Sequence, residues 1–133
     1  FLKLLVFENG LFLSRRSIPV SNNILYQRIR PAIKYIFENY SSKLSLDALA
    51  KECCLSKSHL CVLFKKATGV TINKYINAVR VTKAKNLLVL GYAIAEVLEL
   101  CGFENQSHFN RVFKEFTSNT PSFYIQSKNM QKN

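Results

Sequence analysis

Acidic residues are scarce in this chain. Eight Asp and Glu stand against 19 Lys and Arg in 133 residues, a formal net charge of +11. The imbalance is not confined to one end, because residues 24–133 hold 16 of the basic and seven of the acidic residues. A field of one sign suits a polyanionic partner, either nucleic acid or an anionic membrane surface, since it steers association and phosphate neutralisation releases counterions. Long apolar runs are missing too. The longest, Phe1 to Phe7, includes Lys3 and is far short of the roughly 20 residues that span a bilayer. No membrane segment is therefore expected. FLKLLVFENGLFLSRR lacks the small-residue cleavage site of a secretory signal, which makes a cytoplasmic location the expectation.

The four cysteines, Cys53, Cys54, Cys61 and Cys101, contain no CxxC pair. Adjacent Cys53 and Cys54 make a poor disulfide framework, so reduced structural thiols are expected. No nucleophile, base or metal-ligand constellation assembles. Cys61 and His59 are close in sequence, but residues two apart on a helix point in different directions. Neither an enzyme activity nor a metal or cofactor is expected.

What the chain does have is a repeat. Residues 58–71, SHLCVLFKKATGVT, return at 107–120 as SHFNRVFKEFTSNT, and the match continues to Tyr75 with Tyr124 and Ile76 with Ile125. Two copies at a period of 49 residues are too few for a solenoid and point to a duplicated supersecondary unit. Local signals define it. Ser45 can cap a short helix from Leu46 to Cys53, Ser56 a second from Lys57 to Thr68 that ends at Gly69, and Thr71 a long one from Ile72 to Leu90 that ends at Gly91. The pattern then restarts with a helix from Ala93 to Cys101, a turn, and a helix from Gln106 to Thr117 capped by Asn105. Thr120 and Pro121 open a final short helix. Cys54 aligns with Gly102 and Leu55 with Phe103, with one residue inserted in the second turn. Helix, tight turn and helix is the helix-turn-helix pattern.

Upstream, Leu25, Ile29, Ala32, Ile33, Ile36, Phe37 and Tyr40 recur at helical spacing. Pro31 requires this helix to start near Arg30 or to bend there. SRRSIPVSNN, residues 14–23, reads as a linker. The chain starts at Phe1 rather than Met, which reads as a fragment with a further domain upstream. The expected fold is all-α: seven helices in two helix-turn-helix subdomains joined by a long linking helix. Residues 1–23 form the end of an upstream region and a linker, and 24–126 the domain. Within it the first unit covers about 45–69, the linking helix 72–90 and the second unit about 93–117. Residues 127–133 are a polar tail.

In the second helix of each unit, Leu60, Leu63, Phe64 and Ala67 match Phe109, Val112, Phe113 and Phe116 and should face the core. The opposite face carries Ser58, Cys61, Val62 and Lys65 in one copy and Ser107, Asn110, Arg111 and Lys114 in the other. This stripe is what a helix in a major groove presents to base edges. Arg111 is a candidate for a bidentate guanine contact or for a phosphate contact, and Asn110 or Gln106 for adenine. Val62 and Cys61 could pack on thymine methyls, while Lys57, Lys65 and Lys114 suit phosphate. Helix N-termini at Ser45, Leu46 and Ala93 can offer backbone N–H groups to phosphate. His59 and His108 occupy the same slot, which predicts a shared structural or phosphate-side role. A linking helix of about 19 residues is roughly 28 Å long. With the elements at its ends it could hold two recognition helices about one DNA turn, roughly 34 Å, apart.

GFENQSHFNRVFKEFTSNTPSFY, Gly102 to Tyr124, resembles the signature of the AraC/XylS family of bacterial transcription regulators, and LAKECCLSKSHLCVLFKKATGVTINKYINAVRVTKAKNLL resembles its first unit and linking helix, with the family's Arg at Arg80 and Ala at Ala84. The resemblance covers about residues 24–126. It implies a seven-helix domain that contacts double-stranded DNA and RNA polymerase, usually as an activator, often beneath an N-terminal effector or dimerisation domain. Ser118 and Asn119 stand where the family's second unit has glycine, which predicts a looser end to that helix. Arg80 could hold the linking helix against a neighbouring acid or touch DNA. The competing reading is a basic helical module that binds a protein partner or RNA.

Overall fold

Seven helices, and no strand, make up residues 20–132, the part of the chain that this computed structural model describes. They are α1 (Val20–Asn39), α2 (Leu46–Glu52), α3 (Lys57–Thr68), α4 (Ile72–Val89), α5 (Ile94–Cys101), α6 (Gln106–Thr117) and α7 (Pro121–Lys132). The apolar stripe of α1 buries Ile29, Ala32, Ile33 and Ile36 against α2 and α3. Pro31 neither starts nor breaks this helix. It sits on the exposed face, as does Gln27 four residues earlier, so water can reach the carbonyl that loses its N–H partner.

Two boundaries differ from the sequence reading. Val20–Asn23 are already helical, so the linker expected over 14–23 does not extend past residue 19; residues 1–19 lie outside the described part. At the other end, residues 127–132 continue α7 rather than forming a polar tail. Thr120 Oγ1 accepts from the Phe123 N–H at 3.2 Å, Pro121 opens the first turn, and no glycine or proline follows to stop the helix.

Two cores form. Leu49, Leu60, Leu63 and Phe64 join the α1 stripe in the first, and Val97, Cys101, Phe103, Phe109, Val112 and Phe113 make the second. The linking helix α4 serves both. Ile72, Tyr75, Ile76 and Val79 belong to the first core and Val81, Ala84 and Leu88 to the second. The buried face of α4 thus changes between Val79 and Val81. A helix placed between two cores has no single apolar stripe to display.

The repeat extends into the aromatic contacts. Phe64 meets Tyr75 edge-on with ring centroids 5.3 Å apart, and Phe113 meets Tyr124 edge-on at 5.4 Å. The duplicated unit therefore includes the first turns of the following helix, α4 in one copy and α7 in the other.

Candidate nucleic-acid interface

The residues that recur between the copies hold the backbone. Ser56 Oγ accepts from the His59 N–H at 3.1 Å, and Asn105 Oδ1 from the His108 N–H at 2.8 Å, so α3 and α6 start with equivalent N-caps. Thr68 Oγ1 lies 2.8 Å from the Phe64 carbonyl, and Thr117 Oγ1 lies 2.8 Å from the Phe113 carbonyl. Each threonine also accepts from the N–H two residues on, in Val70 and Asn119. Gly69 closes α3 in the left-handed conformation, its N–H donating to the Lys65 carbonyl at 2.8 Å. Ser118 does the same for α6, donating to Lys114 at 2.7 Å with φ 68°. The looser end expected there is not found; the absence of glycine appears as a left-handed serine instead. The turns match as well, with Cys54 at φ 55° where the second unit has Gly102 at φ 82°.

With these caps fixed, the core faces fall as the spacing requires. Leu60, Leu63, Phe64 and Ala67 are buried, as are Phe109, Val112 and Phe113, while Phe116 is half-buried. On the opposite face of α3, Lys57, Ser58, Cys61, Val62 and Lys65 are all exposed. On α6, Gln106, Ser107, Arg111 and Lys114 are exposed and Asn110 is half-buried. Each helix thus presents one continuous free stripe. The stripes differ in chemistry, because the centre of α3 is apolar and the centre of α6 carries an amide and a guanidinium.

Charge divides between the units in the opposite sense. Residues 45–69 hold Lys51, Lys57, Lys65 and Lys66 against Asp47 and Glu52, whereas 93–117 hold Arg111 and Lys114 against Glu96, Glu99, Glu104 and Glu115. Lys66, which lines one concavity with Cys61 and Val62, and Lys74, in the first turn of α4, are exposed cations that the sequence reading did not single out. Their signal is present in the second lysine of the KK pair and in the lysine three residues after the Thr71 cap.

The helix N-termini read as phosphate sites are partly occupied by the protein itself. At α2 the Ser45 hydroxyl accepts from the Ala48 N–H at 3.1 Å. Asp47 adds a carboxylate to that turn and pairs with Lys57 at 3.5 Å. Both partners are exposed, so the pair is weak and Lys57 can exchange it for phosphate. At α5 the Ala93 N–H already donates to Glu96 Oε1 at 3.1 Å. A phosphate there would have to use the amides of Ile94 and Ala95 beside a carboxylate.

His59 and His108 share a slot but not an environment. His59 is exposed, while His108 is half-buried with its ring 5.8 Å from that of Phe103 and its Nδ1 without a partner. The two side chains therefore do not share their surroundings, since Phe103 of the second turn packs against the His108 ring.

Arg80 is half-buried and makes its hydrogen bonds to backbone carbonyls rather than to a carboxylate. Its Nε donates to the Tyr40 carbonyl at 2.8 Å and its Nη2 to the Ser42 carbonyl at 3.0 Å. These are carbonyls just past the end of α1, which a cation satisfies well. Burial pulls the guanidinium below its usual value, with Cys101 and Glu104 acting in the other direction. Gly102 of the second turn approaches the same loop; a Cβ on it would lie 2.7 Å from the Tyr40 carbonyl oxygen and 3.0 Å from Ser41 backbone atoms. The loop after α1, the linking helix and the second turn therefore meet at one backbone junction.

Among the described residues, no three His, Cys, Asp or Glu side chains cluster as metal ligands, and no helix is long and apolar enough to cross a membrane.

A family described as "Helix-turn-helix domain" matches residues 49–127. The chain is 36% identical over 100 residues to the bifunctional transcriptional activator/DNA repair enzyme AdaA of Bacillus subtilis, a match covering 74% of this chain and 47% of that protein. It is 34% identical over 113 residues to the arabinose operon regulatory protein of Salmonella typhimurium, covering 80% of this chain and 40% of that one. The chain thus spans less than half the length of either relative. The DNA-binding domain of AdpA, a global transcriptional factor solved with a target DNA, superposes with a TM-score of 0.73 over 77% of this chain and 94% of that one; at 20% identity the likeness shows the fold. The duplicated unit, its matched caps and these similarities have one reading: the chain belongs to the AraC family of helix-turn-helix transcription regulators.

Proposed function

We propose that this chain is the DNA-binding part of a bacterial, cytoplasmic transcription activator, and that α3 and α6 enter adjacent major-groove segments of double-stranded DNA. The observation that carries the reading is the pair of free stripes on equivalently capped helices in a basic chain. Arg111 reads guanine bidentately, Gln106 or Asn110 reads adenine, and Ser58 and Ser107 lie along the same stripes. Lys57, Lys65 and Lys114 neutralise phosphates, and the N-termini at Ser45, Leu46 and Ala93 border the backbone. The domain itself performs no catalysis and takes no cofactor. An upstream domain would supply effector response or a dimer contact, and RNA polymerase would be the second partner.

Binding to a duplex selected from a random pool tests this reading. Arg111→Ala should lower specific affinity by about 1–3 kcal/mol and relax one base pair, leaving binding to scrambled duplex nearly unchanged. Lys65→Ala should weaken both duplexes and reduce the salt slope by about one. Equal losses for the two variants on both duplexes, or equal retention of RNA, would reject the assignment.

A further inference from the structure

On the reading that α3 lies in a major groove, we propose that it identifies its half-site by the 5-methyl groups of thymine rather than by hydrogen bonds. The free stripe of α3 has at its centre Cys61 and Val62, and Val62 is 52% exposed. Leu46, in the first turn of α2, is 39% exposed and lines the same concavity as these two residues, with Ile72 of α4 as a further apolar wall. At the centre of the stripe only the Cys61 thiol carries a polar group, and it is a weak donor; Ser58 lies one turn earlier on the stripe, and Thr71 and Asn73 line the α4 side of the concavity. Exposed valine and leucine at a polar interface lose affinity unless an apolar group covers them.

Duplex DNA offers one such group on the major-groove edge of its bases, the thymine methyl. The rim specifies what brings it there. Lys65 and Lys66 border the concavity and Lys57 opens the same helix, so an apolar floor is framed by cations that fit flanking phosphates. An apolar peptide would fill the floor but leave those charges unmatched; a duplex satisfies both. The contrast with α6 is chemical, since Arg111, Asn110 and Gln106 are built for donor and acceptor patterns. The two half-sites are therefore read by different means, T-rich at α3 and hydrogen-bonded at α6.

Deoxyuridine substitution tests this, because it removes the methyl and keeps base pairing. With the full chain and its selected duplex, the half-site whose base preference survives Arg111→Ala is assigned to α3. Each thymine there is then replaced singly by deoxyuridine. Affinity should fall about fourfold for each methyl that Val62 or Leu46 covers, from the burial of one methyl-sized group, and deoxyuridine in the other half-site should change little. In the Val62→Ala protein the difference between thymine and deoxyuridine should disappear at one position. Val62 is exposed, so that variant should unfold like the parent. A selected α3 half-site without thymine, or one indifferent to deoxyuridine, overturns the methyl reading and leaves the DNA-binding reading standing. No preference for any duplex over scrambled sequence overturns both.

Discussion

Replacing Gly102 by alanine tests the junction that joins the two units. Gly102 has φ +82° and its Cβ would sit 2.7 Å from the Tyr40 carbonyl oxygen and 3.0 Å from Ser41 Cα and C. The left-handed conformation alone costs an alanine about 1–2 kcal/mol. The contact is with backbone, which cannot rotate aside, so the loop after α1 or the whole turn must shift, adding about 1–3 kcal/mol. Gly91 provides the comparison. It has φ +98° and nothing within 4 Å of its Cβ position, so Gly91→Ala should show the conformational cost alone. Urea denaturation should therefore place Gly102→Ala about 2–5 kcal/mol below the parent and Gly91→Ala about 1–2 kcal/mol below it. Losses equal within about 0.5 kcal/mol would refute the close approach at Tyr40. Where the variant folds, it should also bind a two-segment duplex less well than Gly91→Ala does, because the shift changes how the second unit is held.

Arg80→Ala should cost about 2–3 kcal/mol in denaturation, since it leaves the Tyr40 and Ser42 carbonyls without their charged donor; a loss below about 0.5 kcal/mol, the range of ordinary surface substitutions, would contradict that role. Ser118→Gly should stabilise the protein by up to about 1 kcal/mol by relieving a left-handed serine at φ 68°, and thermal melting would show a rise; a fall would contradict it. Burial pushes the Cys101 thiol up to about 11 from 9.0, with Arg80 and Lys83 pulling the other way. The folded state then keeps a proton that the unfolded chain loses, so stability is intact below about pH 9 and falls as pH rises towards 11. Urea titrations of Cys101→Ala should show a shallower decline between about pH 9 and 10, and an unchanged slope would contradict the assignment. Some decline should remain, because burial also raises Cys53, Tyr40 and Tyr75.

Local chemistry made most of this fold legible. Ser56 with Lys57 and Gly69 with Thr68 set the ends of α3, and Asn105 set the start of α6, because a side-chain oxygen or a residue able to take positive φ acts within four residues of its own position. Signals that depend on distant neighbours were harder to read. The buried face of α4 changes between Val79 and Val81 because two cores compete for it, and no single period expresses that. Arg80 looked like a partner for an acid or for DNA, since nothing in the sequence places it beside the end of α1 some 38–40 residues earlier. The site divides in the same way. The stripes of α3 and α6 follow from helical spacing, whereas Leu46 beside Val62, Glu96 on the Ala93 amide, and the separate environments of His59 and His108 arise only from how the helices meet.

On the proposed reading, two recognition helices held by one linking helix read two segments of one duplex at a fixed separation. The most direct measurement is the affinity of the full chain for its selected duplex before and after five base pairs are inserted between the two segments. The insertion should lower affinity to that of a duplex carrying one segment alone, since α4 cannot lengthen and the second segment turns to the opposite face of the DNA. Undiminished affinity for the lengthened duplex would contradict it.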